Sequence, residues 1–220
     1  MVIYSIDDNL SEKFLGKLTM KKFALLCFTF IMSTFAHAAD FKEGTDYFVV
    51  SKVASKKPEV VEYFSFLCPS CYRFEPLVNN LKKTLPSDVT FRKSHTESLG
   101  GKVGTELVKA YSLSKLLKSN DVMVPKIFQA IHVTRMPIAS IDDIKPLFMD
   151  AGISEKKFNA GVKSFKLKRM VNQMRQDNKR FRITGVPTFI INGKYQVNNK
   201  KITSEEQFDK LVNYLVQLKD

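Results

Sequence analysis

Apolar positions change their rhythm several times along this chain. Glu59 to Phe66 is a nearly unbroken apolar and aromatic run between Pro58 and Cys68-Pro69, which predicts a buried strand. Directly after it, Phe74, Leu77, Val78, Leu81 and Leu85 recur at i, i+3, i+4, i+7 and i+11, the stripe of an amphipathic helix. Pro76 lies within that stripe and is expected to interrupt and kink the helix, because it has no amide and its ring crowds the preceding turn. Val89 to His95 then alternates, placing Val89, Phe91, Lys93 and His95 on one face of a second strand.

Gly100-Gly101 breaks this rhythm, and the following seventy-odd residues carry helical periodicity with no strand signal. Leu107, Val108 and Tyr111, then Ile127, Phe128 and Ile131, mark two helices. Ser140 caps a segment bearing Ile141, Ile144 and Leu147 that ends at Ala151-Gly152. Ser154 caps another bearing Phe158, Val162 and Phe165. Strands return at Pro187: Thr188 to Ile191 and Tyr195 to Val197 flank Asn192-Gly193, a strong hairpin signal. A last helix starts at Ser204, with Gln207 completing a capping box, and buries Phe208, Leu211, Val212 and Leu215. The order predicts an α/β unit interrupted by an all-helical block.

The front of the chain has a different character. Met20-Lys21-Lys22 is a positive start, Phe23 to Phe35 is apolar and uncharged, and Ala36-His37-Ala38 has the small-x-small form of a signal-peptidase site. Those 13 apolar residues fall short of the roughly 20 that a membrane-spanning helix needs. Residues 1–38 therefore read as an upstream extension and signal peptide, removed by cleavage after Ala38. The protein is then expected in the periplasm, with either Met1 or Met20 as initiator.

Removing the leader changes the chemistry of what is left. Of the three cysteines Cys27 is lost, leaving Cys68 and Cys71 in an oxidising compartment. The formal charge of +13 loses four Lys and three acids and becomes +12. Eight Lys/Arg against the single acid Asp177 crowd Lys163 to Arg182. No groove-reading or aromatic-interleaved motif accompanies that charge, so nucleic acid is not an expected partner. Anionic lipid headgroups or acidic substrates fit it better.

Cys68-Pro69-Ser70-Cys71 falls where a strand ends and a helix begins. Pro69 suits the first helical position, which has no amide to lose. Cys68 is then the N-cap, facing unpaired amides and the positive end of the helix dipole, which stabilise a thiolate. Cys71, one turn further on, faces the core. This predicts an exposed attacking Cys68 and a shielded resolving Cys71. Two other readings compete. A structural staple closing so short a loop contributes only about 2 kcal/mol, against about 3 for fifteen residues. A zinc site would need His95 and His132, which lie 24 and then 37 residues beyond Cys71 and match no common finger or ribbon spacing. No metal and no cofactor is expected, and both histidines are expected to be packed or surface residues.

Glu62 shares a strand face with Val60, Phe64 and Phe66, which places a carboxylate in apolar surroundings. Such an acid is costly unless paired or protonated. Lys93 on the next strand is the candidate partner, with proton management for Cys71 as the function. Glu75, one turn beyond Cys71, is a second candidate for tuning the site.

Val61-Glu62-Tyr63-Phe64-Ser65-Phe66-Leu67-Cys68-Pro69-Ser70-Cys71-Tyr72-Arg73-Phe74-Glu75 resembles the active-site region of the bacterial DsbA family of periplasmic thiol:disulfide oxidoreductases. Gly185-Val186-Pro187-Thr188-Phe189-Ile190-Ile191-Asn192-Gly193-Lys194-Tyr195-Gln196 resembles that family's cis-proline strand and hairpin. The resemblance spans essentially the whole mature chain. It implies a thioredoxin fold with an inserted helical domain: a first thioredoxin part over 39–98, the insertion over 99–173, and a second part over 174–220. It also implies a redox-active Cys68–Cys71 disulfide given to reduced, unfolded exported proteins. A quinone-linked inner-membrane partner of the DsbB type would reoxidise the protein, which is expected to be a monomer. A cis bond before Pro187 and Val186 backbone groups that pair with extended substrate are implied in the same way. Matching family positions carry a buried acid and lysine, as Glu62 and Lys93 are placed here.

The chain departs from the family at Ser70, where the best-known members have His. A hydroxyl can still donate to the thiolate but brings no positive charge. Alternatives on this reading are an isomerase or reductase on the same fold, or a non-catalytic binding protein or chaperone.

Overall fold

The computed structural model describes residues 41–218. Met20, the apolar run to Phe35, and Ala36 to Ala38 lie outside the described residues. Five strands form one sheet among the described residues: β1 (Tyr47–Val49), β2 (Glu59–Phe64), β3 (Thr90–His95), β4 (Thr188–Ile191) and β5 (Tyr195–Val197), in the spatial order β1-β5-β4-β2-β3. β2 runs parallel to β3 and antiparallel to β4. The helices are α1 (Pro69–Thr84), α2 (Lys102–Leu116), α3 (Asn120–His132), α4 (Lys145–Asp150), α5 (Glu155–Lys163), α6 (Phe165–Arg180) and α7 (Glu205–Gln217).

β2 is two residues shorter than the apolar run predicts. At Ser65 the chain turns, with the Cys68 amide donating to the Ser65 carbonyl at 3.0 Å, so Phe66 packs from a turn. The β2–α1 turn is tight against its neighbour: a Cβ on Gly100 would lie 2.2 Å from a Leu67 methyl, and Gly100 also has a φ of +76°. Here glycine answers a packing demand as well as breaking a helix. α1 runs through Pro76 without dividing, since Val78 and Leu81 beyond it are fully buried and hold the second half in place.

β1 is not predicted by the pattern of the sequence. It is three residues long, and its pairing to β5 (Tyr47↔Val197, Val49↔Tyr195) defines it. Only Tyr47 is buried, in edge-on contact with Tyr195 at 5.8 Å. The hairpin β4–β5 has positive φ at both Asn192 and Gly193, as its primed turn requires. The Asn192 amide also donates to the Leu215 and Val216 carbonyls of α7 at 3.2 and 3.0 Å. At the start of α7, Ser204 caps the Gln207 amide, but the Gln207 side chain reaches Thr203 instead of Ser204.

Phe165 does not join the apolar stripe predicted for the helix capped by Ser154. Ser164 ends α5 and caps α6 by accepting from the Leu167 amide at 3.1 Å. Phe165 thereby becomes the first residue of a new helix, 74% exposed. α6 then continues unbroken through residues 173 and 174 and packs on both α2 and β3.

Two apolar clusters lie along one face of β2. Phe64 and Phe66 belong to a cluster with the helical block, including Leu107, Phe128 and Phe158. Val60 belongs to a second cluster with Phe189, Phe208 and Leu211. Glu62 stands on the same face between them.

Candidate active site

Cys68 is the N-cap of α1, with extended backbone (φ −90°, ψ 112°) and Pro69 at the first helical position. Its sulfur accepts from the Cys71 amide at 3.2 Å. Both cysteines are free thiols. The Cys71 thiol and amide, the Ser70 amide and the Arg73 guanidinium all favour the anion, and together they outweigh burial and bring the Cys68 pKa down from 9.0 to about 6. The hydrogen bond to Cys68, reinforced by burial, pushes the Cys71 thiol the opposite way, well above the ordinary range. One proton is thus held between the two sulfurs, and it belongs on Cys71.

Cys71 is fully buried, and Cys68 exposes only 5% of its surface. Cys68 is less open than an N-cap position by itself implies, because the Val186–Pro187 segment lies against it. The Cys68 sulfur lies 3.4 Å from the Val186 carbonyl oxygen, a contact in which only the protonated thiol could donate, and the Val186–Pro187 peptide bond is cis. Val186 and Pro187 enter the site from the loop ahead of β4, with Val186 118 residues away in sequence from the sulfur it meets.

Parallel pairing of β2 and β3 sets Glu62 opposite Lys93. Both side chains are buried, with 3.1 Å between the Lys93 Nζ and the Glu62 carboxylate. Lys93 also bonds Glu75, which comes from α1. Burial raises Glu62 to about 7, with Lys93 opposing the rise and Glu75 adding to it. Burial works against charge on Lys93, but the two carboxylates prevail and hold its pKa above the ordinary value. The ammonium further lies over the Phe64 ring at 4.7 Å. Glu62, Lys93 and Glu75 are therefore one buried cluster, whose charge reaches Cys71 through Glu62.

The two histidines meet at one residue. His95 Nε2 accepts from the Phe66 amide at 2.9 Å, and His132 Nε2 donates to the Phe66 carbonyl at 2.8 Å. Burial drops His95 to about 3, which keeps it neutral and able to accept. His132 stacks on Tyr72 with ring centroids 5.2 Å apart. Both backbone groups of Phe66, two residues before Cys68, are held by side chains from β3 and α3. The sequence offers no signal for this clamp, since the histidines lie 37 residues apart.

Ser70 and Arg73 form the other unforeseen pair. The Arg73 guanidinium donates to the Ser70 hydroxyl at 2.9 Å. The hydroxyl is therefore turned toward Arg73, and the Ser70 amide serves the Cys68 sulfur. The i, i+3 spacing within CPSCYR is the one signal that could have revealed this contact.

Residues 59–216 match the family model of the DSBA-like thioredoxin domain. The chain is similar to the thiol:disulfide interchange protein DsbA of Buchnera aphidicola, at 32% identity over 91% of this chain and 99% of the relative. The protein of that name from Escherichia coli K12 is also 32% identical, over 91% of this chain and all of the relative. A solved Proteus mirabilis DsbA with a non-covalently bound peptide, PWATCDS, superposes with a TM-score of 0.75 at 32% identity, covering 81% of this chain and 99% of that one. DsbA of Pseudomonas aeruginosa gives 0.71 at 28% identity, with 81% and 94% covered.

Proposed function

The chain belongs to the DSBA-like thioredoxin family and is a thiol–disulfide oxidoreductase, and from that premise we propose that it donates a Cys68–Cys71 disulfide to newly exported proteins. In the oxidised protein a substrate thiolate attacks the Cys68 sulfur. The Cys68–Cys71 bond breaks, Cys71 leaves with the electron pair, and a mixed disulfide forms. Cys71 takes up a proton, for which the Glu62–Lys93–Glu75 cluster is the adjacent store. A second substrate thiolate then attacks the substrate sulfur of the mixed disulfide and expels Cys68 as a thiolate. The substrate has lost two electrons and the protein has gained them. A quinone-linked membrane partner of the DsbB type removes them again.

The observation that carries this reading is the Cys71 amide on the Cys68 sulfur at the start of α1, which makes Cys68 a good leaving group. Val186, with its carbonyl already at the sulfur, suits the alignment of an extended substrate strand. The cysteine-containing peptide bound to the Proteus mirabilis relative supports a polypeptide substrate. We place the protein in the periplasm after cleavage at Ala38, and N-terminal sequencing of envelope material should begin at Ala39. No described helix is long and apolar enough to cross a membrane.

The test is refolding of a reduced, cysteine-containing protein by the oxidised enzyme, together with the equilibrium constant of the couple against glutathione. Oxidation of the substrate and a strongly oxidising couple are expected, and Cys68→Ala should lose activity by about 10³-fold or more. A strongly reducing couple would reassign the protein as a reductase. Unchanged activity in Cys68→Ala would make it a binding protein.

A further inference from the structure

Outside the site, one corner of the molecule carries charge that nothing among the described residues answers. α5 ends at Lys163 and α6 begins at Phe165, with Ser164 between them. Lys163, Lys166, Lys168 and Arg169 are all exposed around this corner, and Lys156 and Lys157 are exposed about two turns earlier on α5. None of the six forms an ion pair among the described residues. The acids of these two helices are engaged elsewhere: Glu155 contacts Lys145 at 3.5 Å, and Asp177 is held by Arg92 at 3.0 Å. Further along α6, Arg175 is paired with Glu97, so the unanswered charge is concentrated at the start of the helix.

Phe165 is flanked in sequence by the four corner cations and is the most exposed large apolar side chain of the described residues, at 74%. Phe165, Lys168 and Arg169 follow at i, i+3 and i+4, so they share the solvent face of α6. Leu167, Val171 and Met174 occupy the opposite face, buried in the core.

We propose that this corner is a docking surface for an anionic phospholipid bilayer. Headgroup phosphates neutralise the lysines and Arg169, and the Phe165 ring enters the boundary between headgroups and acyl chains. Charge complementarity selects lipid over protein as the occupant. The buried centre of a protein–protein interface is apolar and depleted in Lys, whereas here one exposed aromatic ring accompanies the exposed cations Lys163, Lys166, Lys168 and Arg169. Lys stems can also lie along the apolar boundary while their ammonium groups reach the phosphates. This surface makes no use of the thiol chemistry, and its failure would leave the redox reading untouched.

The chain contains no tryptophan, so Phe165→Trp introduces a single indole fluorophore at the docking point. With vesicles of phosphatidylcholine containing about one third phosphatidylglycerol, its emission should shift to the blue and the protein should sediment with the lipid. Added salt should weaken both effects. Pure phosphatidylcholine vesicles should bind at least about tenfold less, and so should the variant Lys163→Gln/Lys166→Gln/Lys168→Gln/Arg169→Gln on anionic vesicles. Phe165→Ser should weaken binding several-fold. Exchange with a soluble cysteine peptide should stay at the wild-type rate in every variant, which guards against mistaking a misfolded protein for a failed surface. Equal binding to both vesicle types, wild-type binding by the fourfold variant, or an unshifted indole emission from lipid-bound Phe165→Trp would overturn the proposal. So would binding to a poly-glutamate peptide without binding to vesicles, which would assign the corner to an acidic protein segment.

Discussion

The two ends of α1 are packed equally well and serve different purposes. Val78 and Leu81 near its C-terminal end are fully buried in a cluster with Val60, Phe189, Phe208 and Leu211. Cys71 near its N-terminal end is just as buried, but its cluster adjoins Glu62, Lys93 and His95, all polar and almost fully enclosed. Burial at the first end is simple hydrophobic stabilisation. At the second end burial is set against charge, and that opposition raises Glu62 and lowers His95. Groups held so far from their ordinary pKa values are the kind that cluster at functional sites.

Substitutions at the two ends should separate these roles. Lys93→Met leaves Glu62 and Glu75 without their shared ammonium in a buried site and should cost about 3–5 kcal/mol. The surviving Glu62 should titrate above its present value of about 7, visible as a displaced carboxyl signal in a pH titration. Leu81→Ala should cost about 3 kcal/mol through the cavity it leaves, while the Cys68 thiolate absorbance titrates as in wild type. A shifted Cys68 titration in Leu81→Ala would show that the two ends are not independent.

Redox state sharpens the contrast at a smaller scale. Only the reduced protein can hold a Cys68 thiolate, favoured by the folded helix terminus. Its contribution to stability is complete above the unfolded pKa of about 9 and is lost as pH falls through about 6. That contribution is roughly 1 kcal/mol at pH 7 and rises toward about 4 kcal/mol near pH 9; set against the about 2 kcal/mol that closing the short loop gives the oxidised form, it should make the reduced form the more stable above about pH 7.5. Glu62 runs the opposite way: its raised pKa contributes stability at low pH that is lost between about 4.5 and 7, in both redox forms. Denaturant melts of each form across this range should show the reduced form gaining on the oxidised one from about pH 6 upward and overtaking it above about pH 7.5. An oxidised form more stable than the reduced one at pH 8 would mean that the disulfide acts as a structural staple.

The smallest effect concerns Arg73. Its contact with Ser70 puts a positive charge on the exposed side of the motif, where the family's His would otherwise supply one. Arg73→Gln should raise the Cys68 pKa by a few tenths, since an exposed charge is well screened. Ser70→His should lower that pKa less than a bare comparison of Ser and His implies, because it also removes the acceptor that holds Arg73. A thiolate titration of the two variants decides both points.

Local pattern was sufficient for most of the local structure around the candidate site. The strand–turn–helix around Cys68-Pro69-Ser70-Cys71, the hairpin at Asn192-Gly193 and the capped helices at Ser154 and Ser204 are all readable because each is specified by neighbouring residues. The Glu62–Lys93 pairing was readable as well, since two adjacent parallel strands offered the buried acid few partners.

What escaped the sequence depends on segments distant along the chain. β1 exists because β5 offers it an edge, and three residues carry no period of their own. The hold on Phe66 needs His95 and His132 to converge from β3 and α3. Phe165 is exposed because Ser164, a good N-cap, starts a new helix where the apolar rhythm pointed to a continuing one. The place of the Cys68 sulfur at a helix terminus and the kind of fold around it were written in the order of residues, because helix caps, turns and strand patterns are local. What covers that sulfur and where its proton rests became visible only once the chain was folded. Those depend on burial and on through-space charge, and neither is a property of a residue's neighbours in the chain.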